Sequence, residues 1–229
     1  MSLVILPTGG LSNMLRVTFS YYMKALLENK KLIVIWIPTE ACPGFFTQYF
    51  NIPDNIEFIT VYDYNKSSQR LSIEYNGCSV HSNFNTPSMY SNLSPNTNIL
   101  THVKNNITML ENKYIAVHIR RTDHIAMAKS VNQFTTDDEF IEFLDTYPDY
   151  NIYLATDNRQ TQDIFFNNNK YKHRIKVIKF INPLQRQLRY TTLEDTIIDI
   201  FTCVNAMFFK GSGYSSFTDL INDLRKLKN

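Results

Sequence analysis

Short apolar runs rich in β-branched residues recur along this chain, and in its C-terminal half each is followed by a segment of helical period. Tyr114–His118 reads as a strand, Asp137–Thr146 as a helix, Ile152–Thr156 as a strand and Gln160–Asn167 as a helix. Ile175–Phe180, Thr192–Cys203, Ala206–Phe209 and Ser215–Lys228 continue the pattern as strand, helix, strand and helix. Parallel neighbours in a sheet need a crossover connection, so this alternation predicts a parallel, doubly wound α/β sheet. The first forty residues repeat the theme. Leu3–Leu6 is an apolar run closed by Pro7, Gly9 and Gly10. Ser12 is placed to cap a helix through Leu15, Phe19, Tyr22, Met23 and Leu26, and Lys31–Trp36 reads as a buried strand. Ile56–Val61 is a third candidate strand.

The middle of the chain breaks the rhythm. Asn76–Asn106 is rich in Asn, Ser and Thr and has the composition of a loop or linker. A boundary near residue 100 divides the 229 residues into two domains, 1–100 and 101–229. The net charge of +2 excludes a strongly basic nucleic-acid binder. Cys42, Cys78 and Cys203 are odd in number and far apart, which excludes a disulfide framework and a zinc pair. His81, His102, His118, His124 and His173 are scattered, and no Asp-x-Asp metal motif occurs. The N-terminal apolar stretch is too short for a secretory h-region and lacks a basic flank, and no run matches a membrane span of roughly 18 residues. The expectation is a soluble, cytoplasmic chain without an integral membrane segment.

Ligands of doubly wound sheets bind beyond the carboxyl ends of the strands. That rule selects Thr8–Asn13, Arg120–His124, Asp157–Arg159, Pro183–Arg189 and Gly211–Ser216. His118-Ile-Arg120-Arg121-Thr122-Asp123 places two guanidinium groups directly after a buried strand, where they suit a phosphate or an ion pair with Asp123. Gly211-Ser-Gly-Tyr-Ser215-Ser216 precedes the last helix, whose N-terminal amides favour an anion or take an ordinary serine cap. Asp157 stands just past a strand and Asp199 within an apolar helix, as a buried acceptor or a solvent-facing acid. Gly9-Gly10-Leu-Ser12-Asn13 allows close backbone approach of a ligand, yet neither the dinucleotide nor the P-loop fingerprint is present. Asp137-Asp138-Glu139 fits the opening turn of a helix.

The order of these motifs resembles the fucosyltransferase superfamily. YIAVHIRRTD resembles its His-x-Arg-Arg-x-Asp motif, with Thr122 as in the α1,6 and nodulation branch. IYLATDN is similar to that branch's strand ending in Ala-Thr-Asp. LRYTTLEDTIIDIF with Ser215-Ser216 is similar to its Ile-x-Asp-Ile helix and Ser-Ser loop, and GGLSN resembles a Gly-Gly-Leu-x-Asn loop of the α1,2 branch. The resemblance covers Tyr114–Leu224 and, briefly, Val4–Arg16.

The resemblance implies a compact GT-B-like α/β fold, with two Rossmann-like domains whose parallel sheets face a cleft: an acceptor-side domain first and a GDP-sugar-binding domain second. It implies inverting, metal-independent transfer, pointing first to L-fucose from GDP-fucose, to a hydroxyl of a glycan or glycoconjugate. Arg120 matches the arginine on the β-phosphate and Arg121 its less critical neighbour. His118 and Asp199 match guanosine-contacting positions, Asp157 the Thr-Asp acid, and Ser215 or Ser216 the phosphate-binding serine. Gly10 and Asn13 would approach the donor from the first domain. Inversion requires a base. The carboxylate the α1,6 pattern places after the arginines is replaced by Ala126-Met-Ala128, and its lysine by His124, so Asp123, His124 or an acid of the first domain are the candidates. Two alternatives stand beside this reading: a same-fold transferase using another nucleotide sugar, and a catalytically silent GDP-sugar-binding scaffold. No cofactor and no nucleic-acid partner are expected, and the oligomeric state is left open.

Overall fold

The computed structural model describes residues 1–66, 72–123, 125–178 and 191–228. The chain divides into two compact units, Met1–Thr97 with the last residues from Lys226, and Asn98–Arg225. Among the described residues no helix is long and apolar enough to cross a membrane.

The first unit contains β1 (Ser2–Pro7), α1 (Leu11–Leu27), β2 (Lys31–Ile35), β3 (Ile56–Ile59), α2 (Val61–Lys66) and β4 (Ile73–Gly77). Its four strands are parallel in the order β3-β2-β1-β4. The continuous apolar runs of β1 and β2 follow from their place inside the sheet, where both faces are covered. α1 starts one residue before Ser12. Gly10 occupies the cap position with no side-chain bond, and Ser12 is buried in the first turn, so it does not cap the helix. Gly9 (φ 93°) turns the chain off β1 so quickly that the helix is under way by Leu11. The lone tryptophan, Trp36, donates to the Gly44 carbonyl at 2.8 Å and packs edge-on against Phe46 and Phe58, which stack at 4.1 Å.

The second unit contains α3 (Thr97–Met109), β5 (Tyr114–Ile119), α4 (Ile125–Ser130), α5 (Asp137–Thr146), β6 (Asn151–Thr156), α6 (Arg159–Asn167), β7 (Ile175–Lys176), α7 (Leu193–Asn205), β8 (Phe208–Gly211) and α8 (Ser216–Lys226). Its sheet is also all parallel, in the order β7-β6-β5-β8. Every residue of β5 is buried. Ile115, Val117 and Ile119 join Phe140, Leu144 and Leu154 in one core. Helix starts follow local chemistry. Thr136 with Glu139, and Thr192 with Asp195, form capping boxes on α5 and α7, and Asn158 caps α6. The acidic run at 137–139 therefore opens a helix.

Five expectations change. Part of the Asn-rich segment expected to be loop forms the helix α3, because Ile99 and Val103, one turn apart, are buried and anchor it. β4 has only half-exposed or exposed positions, as an edge strand can, which is why its sequence lacks a strand signature. The third strand stops at Ile59, and Val61 already belongs to α2. The last strand begins at Phe208 instead of Ala206, since Ala206 terminates α7. The strand expected over Ile175–Phe180 is shorter, since β7 pairs with β6 only through Ile175 and Lys176 and Val177 and Ile178 have left it; Lys179 and Phe180, and the loop Pro183–Arg189, lie outside the described residues.

Arg225 holds the end of α7. Its Nη1 donates to the carbonyls of Cys203, Val204 and Ala206, and its Nη2 to that of Met207 at 3.1 Å. The Val204 carbonyl belongs to the last turn, whose acceptors a helix leaves open, the Cys203 carbonyl also takes the Ala206 amide, and the Met207 amide hydrogen opens the ladder with Tyr114. Arg225→Ala is expected to cost about 1.5–3 kcal/mol in urea unfolding, with Arg225→Lys recovering part of it. An unchanged midpoint would contradict this role.

Candidate functional site

Three strands of the second unit, β5, β6 and β8, end side by side, and the loops leaving them are bonded to one another. Thr156 Oγ1 donates to the Ile119 carbonyl at 2.7 Å. The Ser212 amide donates to the His118 carbonyl at 2.8 Å, and Ser212 Oγ accepts the Arg120 amide hydrogen at 2.9 Å. Across the other side of β5, Asp157 accepts the Arg121 amide at 2.9 Å on Oδ1 and the Thr122 hydroxyl at 2.6 Å on Oδ2. The arginine loop is thus fixed through its backbone from both neighbouring strands.

The two guanidinium groups differ in what they are free to do. Arg121 is enclosed. It donates to Asp137, to the Thr135 carbonyl at 2.9 Å and to the Arg120 carbonyl at 3.1 Å, and it lies over the rings of Phe134 and Phe140. It acts as a tie between the loop and α5. Arg120 donates through Nε and Nη2 to Asp123, a carboxylate that is 45% exposed. Its Nη1 has no acceptor among the described residues. A fork aimed at an exposed carboxylate has the geometry that binds phosphate. A small cleft beside it is lined by both arginines, Ser212 and Gly213, with Ile125, Ala128 and Phe134 supplying an apolar side.

The glycines flanking Ser212 are there for close packing. A Cβ on Gly213 would lie 2.0 Å from the Gln133 carbonyl oxygen, and one on Gly211 would lie 2.3 Å from Thr218 Cγ2. The Gly213 amide donates to Thr135 Oγ1 at 2.9 Å. Ser215 is almost fully buried. Its carbonyl accepts the Asp219 amide and its hydroxyl the Thr218 amide, so it caps α8. Ser216 is the first residue of α8, and its hydroxyl has no partner among the described residues.

His118 and Asp199 are placed apart from the exposed edge. His118 is buried, with Nδ1 2.9 Å from Thr218 Oγ1 and its ring stacked on Phe217. Burial, reinforced by the charges of Arg120 and Arg121, pulls its pKa down to about 3, so the imidazole is neutral at physiological pH. Asp199 is the buried acceptor among the two readings of its sequence. It takes the Tyr153 hydroxyl at 2.6 Å, in the interior between α7 and β6. Burial and the Asp199 charge push the Tyr153 phenol up, which keeps it a donor. His124 lies outside the described residues. In the first unit, Asn13 packs against Gly9, with Nδ2 3.2 Å from where a Cβ would sit, and Gly10 precedes α1. The structure therefore gathers Arg120, Arg121, Asp123 and Asp157 into one network of the second unit; Ser215 and Ser216 follow Ser212, which joins that network, but are not bonded to those four residues.

Sequence reasoning missed Ser212, Thr135 and Phe134. Ser212 was legible in part, since a serine between two glycines sits where backbone must approach backbone. Thr135 and Phe134 carry no such mark, because they reach the site only through folding.

No protein-family model matches the chain, and no curated protein matches it by sequence. Solved structures do match it. The NodZ α1,6-fucosyltransferase crystal soaked with GDP-fucose aligns with 97% of this chain and 92% of its own, at 12% identity and a TM-score of 0.66. NodZ from Bradyrhizobium aligns over 96% and 92%, at 11% identity and a TM-score of 0.62. POFUT1 in complex with GDP-fucose aligns over 98% and 94%, at 12% identity and a TM-score of 0.66. At this identity the likeness is one of fold: two parallel-sheet α/β units of the GT-B kind.

The buried imidazole predicts a pH dependence of stability. An unfolded histidine titrates near about 6.5, while folded His118 stays neutral until about pH 3. The stability His118 provides is therefore complete above about pH 6.5 and is lost as pH falls toward 3, by up to about 1.4 kcal/mol per pH unit. Urea unfolding of the native chain and His118→Gln at pH 7, 6 and 5 is expected to show their difference shrinking with that sign. A difference independent of pH would contradict it.

Proposed function

We propose that this protein is an inverting, metal-independent glycosyltransferase that takes L-fucose from GDP-fucose to a hydroxyl of a glycan or glycoconjugate. On this reading, residues 101–229 hold the donor and residues 1–100 form the acceptor side. The observation that carries it is Arg120, whose amide is tied to Ser212 and whose guanidinium fork meets an exposed carboxylate. The fold shared with NodZ and POFUT1 structures holding GDP-fucose supports the same donor.

The chemistry follows from charge. Breaking the glycosidic bond leaves negative charge on a diphosphate oxygen, and fixed donors that meet it lower the barrier. Arg120 would transfer its fork from Asp123 to the β-phosphate, with the amides at the start of α8 and the Ser216 hydroxyl as further donors. Arg121 and Asp157 would hold the loop in place while this happens. Asp123, released from Arg120, and His124 are the candidates for the base that takes the acceptor proton. Gly10 and Asn13 would meet the donor from the first domain. His118 and Asp199, buried in this structure, would shape the guanosine pocket. No cofactor is required, and the protein acts in the cytoplasm.

Arg120→Ala is expected to lower transfer from GDP-fucose by about 100-fold or more while leaving the unfolding midpoint in place; full activity in that variant would overturn the reading. GDP with EDTA present is expected to raise the melting temperature of the native chain but not of Arg120→Ala. GDP binding without turnover across a panel of glycan acceptors would instead favour the silent scaffold. Faster hydrolysis of GDP-mannose or a UDP-sugar than of GDP-fucose would reassign the donor.

A further inference from the structure

His118 faces away from α5. Ile115, Val117 and Ile119 share a core with Phe140 and Leu144 of that helix, and Arg121 continues the same side through Asp137 and Phe140. Side chains alternate between the faces of a strand, so His118 takes the opposite face, which α8 covers. The half-buried ring of Phe217 stacks on the imidazole with centroids 4.3 Å apart, and Thr218 Oγ1 lies 2.9 Å from Nδ1. Thr218 is itself buried. Gly211 of β8 makes room for it, since a Cβ on Gly211 would lie 2.5 Å from Thr218 Oγ1.

A neutral imidazole has one nitrogen that donates and one that accepts, and the partner of the first sets the role of the second. Burial, reinforced by the charges of Arg120 and Arg121, keeps His118 neutral. The direction of the Thr218 bond then decides which nitrogen carries the hydrogen. A helical threonine can turn its hydroxyl back to the carbonyl four residues earlier, as Thr196 does with Thr192 at 2.8 Å. Thr218 makes no such bond, and Nδ1 is the only acceptor its hydroxyl meets among the described residues. Buried hydroxyls find acceptors. Thr218 Oγ1 therefore donates to Nδ1, and the ring hydrogen sits on Nε2, where no described residue accepts it. This open donor is uncharged and lies in a ring stacked on Phe217, two residues before the arginine that suits a phosphate. An uncharged donor beside an aromatic ring suits the neutral acceptor atoms of a nucleoside.

We propose that Thr218 is a positioning residue that holds His118 as its Nε2–H tautomer, so that the imidazole offers a neutral hydrogen to an acceptor atom of a bound nucleoside. The tautomer rests on the packing of β5, β8 and α8 alone; only the nucleoside contact rests on the reading under Proposed function.

The test reads the imidazole directly. Nitrogen NMR spectra of the isotope-labelled full chain at about pH 7, with His118 assigned through His118→Gln, are expected to show a protonated Nε2 and a bare Nδ1 whose shift is displaced by an accepted hydrogen bond. Thr218→Val keeps the shape and removes the hydroxyl, and is expected to abolish that displacement; Thr218→Ser is expected to retain it. In calorimetric titrations GDP is expected to bind about fivefold or more weakly to Thr218→Val and to recover in Thr218→Ser, with pyrophosphate unaffected by either change. A protonated Nδ1, or an Nδ1 shift indifferent to Thr218→Val, overturns the proposal whatever the ligand. GDP bound equally by the native chain and Thr218→Val, or pyrophosphate weakened as much as GDP, overturns the nucleoside contact. A native chain that shows the expected tautomer and binds no GDP overturns the donor reading and the nucleoside contact with it, while the role of Thr218 in the tautomer stands. Thr218→Ala serves if Thr218→Val does not fold.

Discussion

Arg120 can offer its side chain outward because its own amide hydrogen is held inward by Ser212. A residue just past the end of a parallel strand has left the ladder, and its backbone groups need partners elsewhere. In the second unit those partners come from the two adjacent strand ends. Ser212 follows β8, and Asp157, which takes the amide of Arg121, follows β6. The site is therefore a consequence of strand order. Because β5 lies between β6 and β8, the loop after it is clamped from both sides, and the direction of the Arg120 side chain is set before any ligand arrives.

Adjacent arginines in one motif have opposite duties for the same reason. Arg121 points into a shell of Asp137, the Thr135 carbonyl and two phenylalanine rings, where a cation keeps its charge satisfied without water. Arg120 meets a single exposed carboxylate that an incoming anion can replace. The first unit builds the same strand–loop–helix corner with the roles inverted. Its backbone is compact at Gly9, the Arg16 Nε is tied to the Cys78 carbonyl, and the Asn13 amide oxygen is left without a partner among the described residues.

Much of the fold was legible in the residues. The runs LVIL, LIVI and YIAV are apolar without interruption because their strands are covered on both faces, and that pattern is a property of the residue order alone. Thr136-x-x-Glu139 and Thr192-x-x-Asp195 announce helix starts because each cap lies within three residues of its partner. The elements that escaped are those whose cause is distant. β4 is a strand only because β1 offers it an edge, and α3 is a helix only because Ile99 and Val103 have a surface to pack on. Ser12 was misread as a cap because the turn at Gly9 starts the helix one residue earlier than local preference suggests.

For the site, the sequence by itself determined which chemical groups stand at the strand ends: two arginines after β5, an acid after β6, a glycine-flanked serine after β8 and a Gly-Gly-Leu-Ser-Asn loop after β1. Strand ends are where apolar runs stop, so a reading of hydrophobicity locates them. Only the tertiary structure decided how those groups are used. It buried His118 against Thr218 and lowered its basicity, gave Asp199 to Tyr153, enclosed Arg121, and left Arg120 with donors facing outward. Those outcomes depend on which strand ends lie together and on what each side chain finds across the gap, and that information exists only once the sheet has assembled.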